Sequence, residues 1–226
     1  LYDVSNYMHT IKKEDIKTTD ILLNDINLLP IDQKIRVTKQ YTEYIMDNIK
    51  SNKQKQECID NFYDQQGICH VILPERGHLL PGMFVVGGDS HSPTGGAFGC
   101  FMFGVGATDM ASILITGKTW VKVPNTIRIE ITGTPGVDGG IADGVSAKDI
   151  ILHLCSRLGV GGAEYQVVEY VGNIISRMSM SERMTLTNMS AELGAQTGLI
   201  AADDTTFDYI MKTGKKLERP VRADNI

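Results

Sequence analysis

The stretch Val85-Val86-Gly87-Gly88-Asp89-Ser90-His91-Ser92-Pro93-Thr94-Gly95-Gly96-Ala97-Phe98-Gly99 constrains this chain more than any other. An apolar run, Met83 to Val86, ends in paired glycines. A carboxylate, a hydroxyl and an imidazole follow at once, then more glycines and a long apolar segment. The pattern reads as strand, tight loop, helix. Glycine admits backbone conformations that other residues resist, and the first turn of a helix offers unpaired N–H groups that suit an anion. Asp89, Ser90 and His91 are therefore candidate proton-handling groups on a loop beside an anion seat.

The rest of the chain alternates between strand and helix patterns. Residues 1–33 are polar with weak apolar signal, and a helical pattern runs from Ile35 to about Tyr63, broken by the polar stretch Lys50 to Glu57. Ile68 to Leu73 is a short apolar strand candidate closed by Pro74, and Met83 to Val86 is the next. Phe98 to about Thr119 is apolar and of helix length, with Gly99, Gly104 and Gly106 inside it. After Pro124, Ile127, Ile129 and Ile131 alternate with Arg128 and Glu130, as in a half-buried strand. Ser146 can cap a helix from Ala147 to Leu158, ended by Gly159 to Gly162. Gln166 to Tyr170 reads as a strand, Met184 to about Ala195 as a helix and Leu199 to Ala202 as a strand. Asp203 or Asp204 can cap a last helix through Tyr209. Alternation of this kind indicates α/β layers with a largely parallel sheet. We place a boundary near Pro124, giving a first α/β domain over 1–123 that carries the Asp-Ser-His loop and a second, incomplete one over 124–226.

Composition narrows the function classes. A net charge of −5 over 226 residues provides no basic face for a broad nucleic-acid footprint. There is no uncharged apolar run of the roughly 18 residues that a membrane span needs, and nothing at the start reads as a signal peptide. The expected location is the cytoplasm, or an organelle matrix if a targeting segment has been trimmed ahead of Leu1. The four cysteines, Cys58, Cys69, Cys100 and Cys155, lie 11, 31 and 55 residues apart. None has C-x-x-C spacing, so no zinc or iron–sulfur signature is visible, and reduced, mostly buried thiols are expected. Two nucleotide motifs fail on their own terms. Gly104-Val105-Gly106 lacks the next glycine, position 109 being Asp, and Gly117-Lys118-Thr119 lacks the opening glycine, position 112 being Ser.

The segment Gly-Asp-Ser-His-Ser-Pro-Thr-Gly-Gly-Ala-Phe-Gly resembles the Asp-Ser-His-Thr signature of the aconitase superfamily. The nearest branch is that of the 3-isopropylmalate dehydratase large subunits and their homoaconitase and 2,3-dimethylmalate dehydratase relatives. The likeness runs from about Gly67 to about Ile210. Val-Ser-Ala-Lys-Asp-Ile-Ile-Leu (145–152), Val-Val-Glu-Tyr-Val-Gly (167–172) and Met-Thr-Leu-Thr-Asn-Met-Ser-Ala-Glu-Leu-Gly-Ala (184–195) support it, in the right order.

The resemblance implies aconitase-like three-layer α/β/α domains with largely parallel sheets. It implies a hydro-lyase or isomerase that dehydrates and rehydrates a small 2-hydroxy dicarboxylate, such as an isopropylmalate, at a [4Fe-4S] cluster. A separate small subunit would complete the site. His70, which alone would read as a core histidine, is implied to hydrogen-bond Asp89. His91 is implied to act with Glu169, Ser90 to donate a hydrogen bond near the substrate, and Asn188 and Glu192, four apart and so on one helix face, to support the site or the substrate.

Parts of the family pattern are missing. Neither a Cys-Thr-Asn motif nor a C-x-x-C pair is present, so the cluster's cysteines are not found in this chain. The early Asp-His pair is absent, Asn24-Asp25-Ile26 falling near its place. Arg128, Arg183 and Arg222 match none of the family's carboxylate-gripping arginines. Two readings stay open: part of an iron–sulfur large subunit, or a cluster-free paralogue acting as a small-anion-binding or scaffold subunit.

Overall fold

The computed structural model describes residue 63 and residues 66–116, 118–134 and 141–215. The expectations for residues 1–62, Cys58 among them, and for Arg222 lie outside the described residues. The chain divides into two compact units, Leu1–Gln66 with Gly106–Val121, and Gly67–Val105 with Lys122–Ile226. In the first, the described element is helix α2, Ala107–Thr116, opened by the Met110 N–H bonding the Gly106 carbonyl at 2.9 Å. All the candidate site residues belong to the second.

The second unit is α/β with parallel strands throughout, as the alternating pattern requires. Strands β1, Phe84–Gly87, and β2, Phe101–Gly104, pair in parallel with Phe84 opposite Phe101. A second sheet has the order β3-β4-β5, from Thr126–Glu130, Val167–Val171 and Thr197–Leu199, again all parallel. Parallel neighbours need crossover connections. Helix α3, Ala147–Leu158, makes the first, and α4, Met180–Asn188, makes the second. Helix α5, Asp204–Lys212, follows β5. Among the described residues no helix is long and apolar enough to cross a membrane.

Local chemistry sets the helix boundaries. Ser146 accepts from the Asp149 N–H at 3.2 Å while the Asp149 carboxylate accepts from the Ser146 N–H at 2.8 Å. That reciprocal box starts α3 where the sequence placed it. Ser179 and Glu182 form the same box, so α4 begins at Met180, four residues earlier than the apolar pattern suggested. Asp203, not Asp204, caps α5.

Three expected elements change character. Ile68 to Leu73, read as a strand, belongs largely to helix α1, Cys69–Glu75. Apolar composition over so short a run does not separate strand from helix. The stop signal was present: the Gly77 N–H bonds Pro74 O at 3.0 Å and the His78 N–H bonds Leu73 O at 2.9 Å, with Gly77 left-handed at φ 65°. That Schellman closure favours glycine. Phe98 to Thr119, read as one helix, is a turn, strand β2 and helix α2, divided at Gly104 and Gly106. Met184 to Ala195 is the end of α4 and a short 3-10 helix, Met189–Leu193.

Two apolar cores hold the unit. One gathers Ile151, Val168, Tyr170, Met178, Leu186 and Leu193 between the β3-β4-β5 sheet and its helices. The other gathers Leu79, Phe98, Cys100, Met102, Met180 and Ile210. The methionines fill core gaps, as expected of a flexible thioether side chain. Between the cores lies a fully buried cation. Arg183 makes a two-pronged contact with Asp203, both N–O distances 2.7 Å, and its remaining donors reach Met178 O, Ser176 O and Thr206 Oγ1. This arginine fixes α4 to the cap of α5.

Burial alone would raise the Asp203 carboxyl, but the Arg183 hydrogen bonds and charge, with the Thr206 donors, outweigh it and hold it below the ordinary range. A carboxyl depressed in the folded state contributes stability above its unfolded value, about 3.9. That contribution is lost as pH falls through the folded value. Asp203→Ala, which strands the buried guanidinium, should destabilise the protein by roughly 3–5 kcal/mol in denaturant unfolding at pH 7, and by progressively less below about pH 4. Gly96→Ala tests the packing. Its Cβ would collide with the Gly198 carbonyl, which is backbone and cannot swing away. A loss of about 1–3 kcal/mol is expected from overpacking.

Candidate functional site

The Asp-Ser-His loop leaves β1 and enters a 3-10 helix, Ser92–Phe98, every residue of which is buried. This short helix, not the α-helix expected there, seats the loop. The Ile200 N–H, just past β5, bonds Gly96 O at 3.0 Å, and Thr197 Oγ1 donates to Met102 O at 2.6 Å, tying β5 to the 3-10 helix and to strand β2 that follows it. The expected anion seat is filled from within. Asp89 Oδ1 accepts from the His91 N–H at 2.7 Å, an Asx turn, and Asp89 O accepts from the Ser92 N–H at 3.2 Å. The His91 N–H is the main reason the Asp89 carboxyl lies below its ordinary range, with the His70 hydrogen bond adding to it against the small opposing cost of burial.

His70 reaches the same carboxylate from α1, its Nε2 2.9 Å from Asp89 Oδ1. An ionised carboxylate only accepts, so Nε2 carries the hydrogen. In the neutral ring Nδ1 is then an acceptor, and Cys69 Sγ lies 3.5 Å from it. Burial, and after it the Asp89 charge, pushes the Cys69 thiol up, which keeps its proton in place to be donated.

His91 forms a second, parallel arrangement. Its Nε2 is 3.1 Å from Glu192 Oε1, and its Nδ1 is 3.1 Å from Ser90 Oγ. By the same rule Nε2 carries a hydrogen and the neutral ring accepts from the Ser90 hydroxyl. The two imidazole centroids are 6.5 Å apart. Two imidazole–carboxylate pairs thus stand side by side at the loop, which supplies one member of each, with one hydroxyl on the second ring. Asp89 and Glu192 are about half exposed. Solvated pairs of this kind are worth only about 0–1 kcal/mol each, so the arrangement adds little to stability.

His70, Asp89, Ser90, His91 and Glu192 therefore come together; Glu169 does not join them. Both ring nitrogens of His91 are engaged by Ser90 and Glu192, so the pairing with Glu169 is corrected to Glu192. The reason is strand alternation. Val168 and Tyr170 of β4 face the core, so Glu169 projects from the other face, with Arg128 its neighbour in register on β3. Asn188 ends α4 and opens the 3-10 turn that carries Glu192. Its Nδ2 donates to Thr94 Oγ1 at 2.8 Å. The four-residue spacing of Asn188 and Glu192 pointed at this region; the identity of Glu192's partner, 101 residues away, needed the tertiary fold.

The described residues do not fit the cluster that the resemblance implies. Among them no three His, Cys, Asp or Glu side chains gather as metal ligands. A cluster takes thiolates, and the three described cysteines are held as thiols. Cys100 is buried, its thiol pushed up to about 12, with its S–H on Leu80 O at 3.1 Å. Burial raises Cys155 too, with the Glu192 charge second. Arg183, buried on Asp203, and Arg128, on the exposed face of β3 near Glu130, are not carboxylate grips.

The sequence matches the aconitase family (aconitate hydratase) over residues 4–225. It is 44% identical over 171 residues to "3-isopropylmalate dehydratase large subunit 1" of Methanopyrus kandleri, covering 75% of this chain and 40% of that protein. It is 51% identical over 155 residues to "Methanogen homoaconitase large subunit" of Methanocaldococcus jannaschii, covering 68% of this chain and 35% of that one. With "3-isopropylmalate dehydratase large subunit" of Halothermothrix orenii the identity is 37% over 223 residues, 92% of this chain and 51% of the relative. The chain spans about a third to a half of the length of these curated relatives. A match over nearly its whole length, with the Asp-Ser-His loop built as described, places the chain in the aconitase family.

Proposed function

We propose that this chain is part of the large subunit of a hydro-lyase that dehydrates, and in an isomerase rehydrates, a small 2-hydroxy dicarboxylate such as 3-isopropylmalate. The observation that carries the reading is the pair of imidazole–carboxylate couples at the Asp-Ser-His loop, His70–Asp89 and His91–Glu192, each with one member on the loop, and with Ser90 on the second ring. The names of the relatives, dehydratase and homoaconitase large subunits, support the reaction class and a small-subunit partner. They differ in substrate, so the side group on the diacid stays open between isopropyl and other substituents.

Dehydration removes a hydroxyl from one carbon and a proton from its neighbour. The departing oxygen needs a proton, and the loop is arranged to manage one. In the neutral ring the Ser90 hydroxyl is committed to His91 Nδ1. When the ring takes up a proton, Nδ1–H donates to Ser90 Oγ, and the serine hydrogen turns outward to a substrate oxygen. Glu192 holds the opposite edge of the ring throughout and stabilises its charged form. Asp89, fixed by the His91 N–H and by His70, keeps the loop in the turn that makes these contacts. The described residues supply this proton handling. The cysteine ligands of a [4Fe-4S] cluster, and the base that removes the carbon-bound proton, belong to residues outside them or to the small subunit.

In the intact enzyme with its small subunit, His91→Ala should lower kcat by about 10²–10⁴-fold, the usual worth of a positioned acid–base group. Glu192→Gln should act in the same direction and by less, while Glu169→Gln should leave kcat near that of the wild type. A large effect at Glu169 with none at Glu192 would reverse the pairing. Iron and acid-labile sulfide should be measured on the complex purified anaerobically from its own cells. About four of each per complex is expected for a cubane cluster. Absence of both after attempted reconstitution would overturn the hydro-lyase reading in favour of a cluster-free scaffold that holds small anions.

A further inference from the structure

The contact between His91 and Glu192 raises a physical question. The two residues are 101 positions apart, on separate segments, the glutamate about half exposed to water and the histidine partly so. A solvated pair of this kind is too weak to hold two segments in register by itself. Something else must set the distance.

We propose that Thr94 is the positioning residue that holds His91 against Glu192, by bridging the loop to the end of α4. Thr94 is buried, 5% exposed. Its hydroxyl has one hydrogen and lone pairs to accept with, and both functions are used. Oγ1 donates to the His91 carbonyl at 2.7 Å and accepts from Asn188 Nδ2 at 2.8 Å. Its own carbonyl accepts from Thr187 Oγ1 at 3.2 Å. Asn188 is the residue from which the 3-10 turn bearing Glu192 begins. The contacts therefore close a ring. One arm is the exposed His91–Glu192 pair. The other is the chain of hydrogen bonds from the His91 backbone through Thr94 to Asn188, shielded from solvent at Thr94.

Three features make threonine apt here. A β-branched side chain has few χ1 choices, so the hydroxyl is aimed before either partner arrives. The donor must point to His91, because a carbonyl cannot donate, which leaves the lone pair for the asparagine amide. The residue also sits inside the 3-10 helix that β5 clamps, so the bridge rests on a fixed base. Asn188 accordingly serves the loop with its amide nitrogen, as a positioning partner of Thr94.

The kinetic part of the test rests on the proposed dehydration; the spectroscopic part does not. The intact protein would be prepared with ring-labelled histidine as wild type, Thr94→Val and Thr94→Ser, and the His91 ring 15N shifts compared. Wild type and Thr94→Ser should show one tautomer, with Nε2 carrying the hydrogen. Thr94→Val, which keeps the shape and removes both hydrogen bonds, should show averaging between tautomers as the Glu192 contact is lost. Turnover of the hydroxy diacid should fall by up to about 10²-fold through kcat, the cost of a misplacement near 1 Å, and Thr94→Ser should recover it. A folded Thr94→Val protein with wild-type ring shifts overturns the proposal, whatever its activity. Should Thr94→Val not fold, Asn188→Ala cuts the same bridge from the other side and must give the same averaging. A wild-type protein that turns over no hydroxy diacid would refute the dehydratase reading, while the ring shifts would still decide the role of Thr94.

Discussion

The site depends on one close approach of backbone to backbone. Gly96, in the middle of the loop's 3-10 helix, lies so near β5 that a Cβ there would collide with the Gly198 carbonyl. Its own carbonyl accepts the Ile200 N–H at 3.0 Å. A side chain at this point would push the loop off the sheet edge. With hydrogen alone at the α-carbon, the loop docks on β5 and α4, and His91 comes within 3.1 Å of a glutamate 101 residues later in the chain. The imidazole–carboxylate pairs are consequences of that seating, since neither is strong enough to enforce it.

Much of the fold was legible because several local signals agreed. Over Ala147–Leu158 the Ser146 cap, the apolar periodicity and the terminal Gly159 coincide, and the helix has those limits. In β3 the isoleucines alternate with charge, and the burial follows them. Where one signal stood alone, it misled. Apolar character by itself made Ile68 to Leu73 a strand and Phe98 to Thr119 a single helix. The deciding features were punctuation, Gly77 after α1, Gly104 at the end of β2 and Gly106 just beyond it. In the site, Asp89, Ser90, His91 and His70 could be named from the chain because they sit in or near one motif. Glu192 could be noticed but not paired. Glu169 shows why: a glutamate in an apolar strand invites a buried partner, yet the strand's alternation turns it away from His91. Pairing across 101 residues is fixed by how β5 and α4 dock, and no local pattern contains that.

The unit uses charge in two opposite ways. Arg183 is wholly buried, and each of its nitrogens is answered by a carboxylate, a hydroxyl or a carbonyl. Removing water from a guanidinium is costly, and only a complete set of partners offsets it. Its effect is rigidity: α4 and α5 hold one relation to each other. The carboxylates of Asp89 and Glu192 are half in water. They add little to stability and remain open to water.

The signature segment shows the same division within ten residues. Asp89 and Ser90 are exposed and His91 is partly so, whereas Ser92 through Phe98 are buried without exception. The first three residues carry groups that can donate, accept and hold a proton. The next seven carry a proline, two small hydroxyl residues, two glycines, an alanine and a phenylalanine, side chains suited to turning tightly and packing under cover. Ser92 Oγ donates to the Asp89 carbonyl at 2.7 Å, and Thr94 Oγ1 to that of His91 at 2.7 Å. The hydroxyls of the buried half thus hold the exposed half by its backbone at Asp89 and at His91. An Asp-Ser-His triplet without this continuation would carry the same functional groups and lack the geometry that makes them act together. The buried part of the motif fixes where its three exposed functional groups stand.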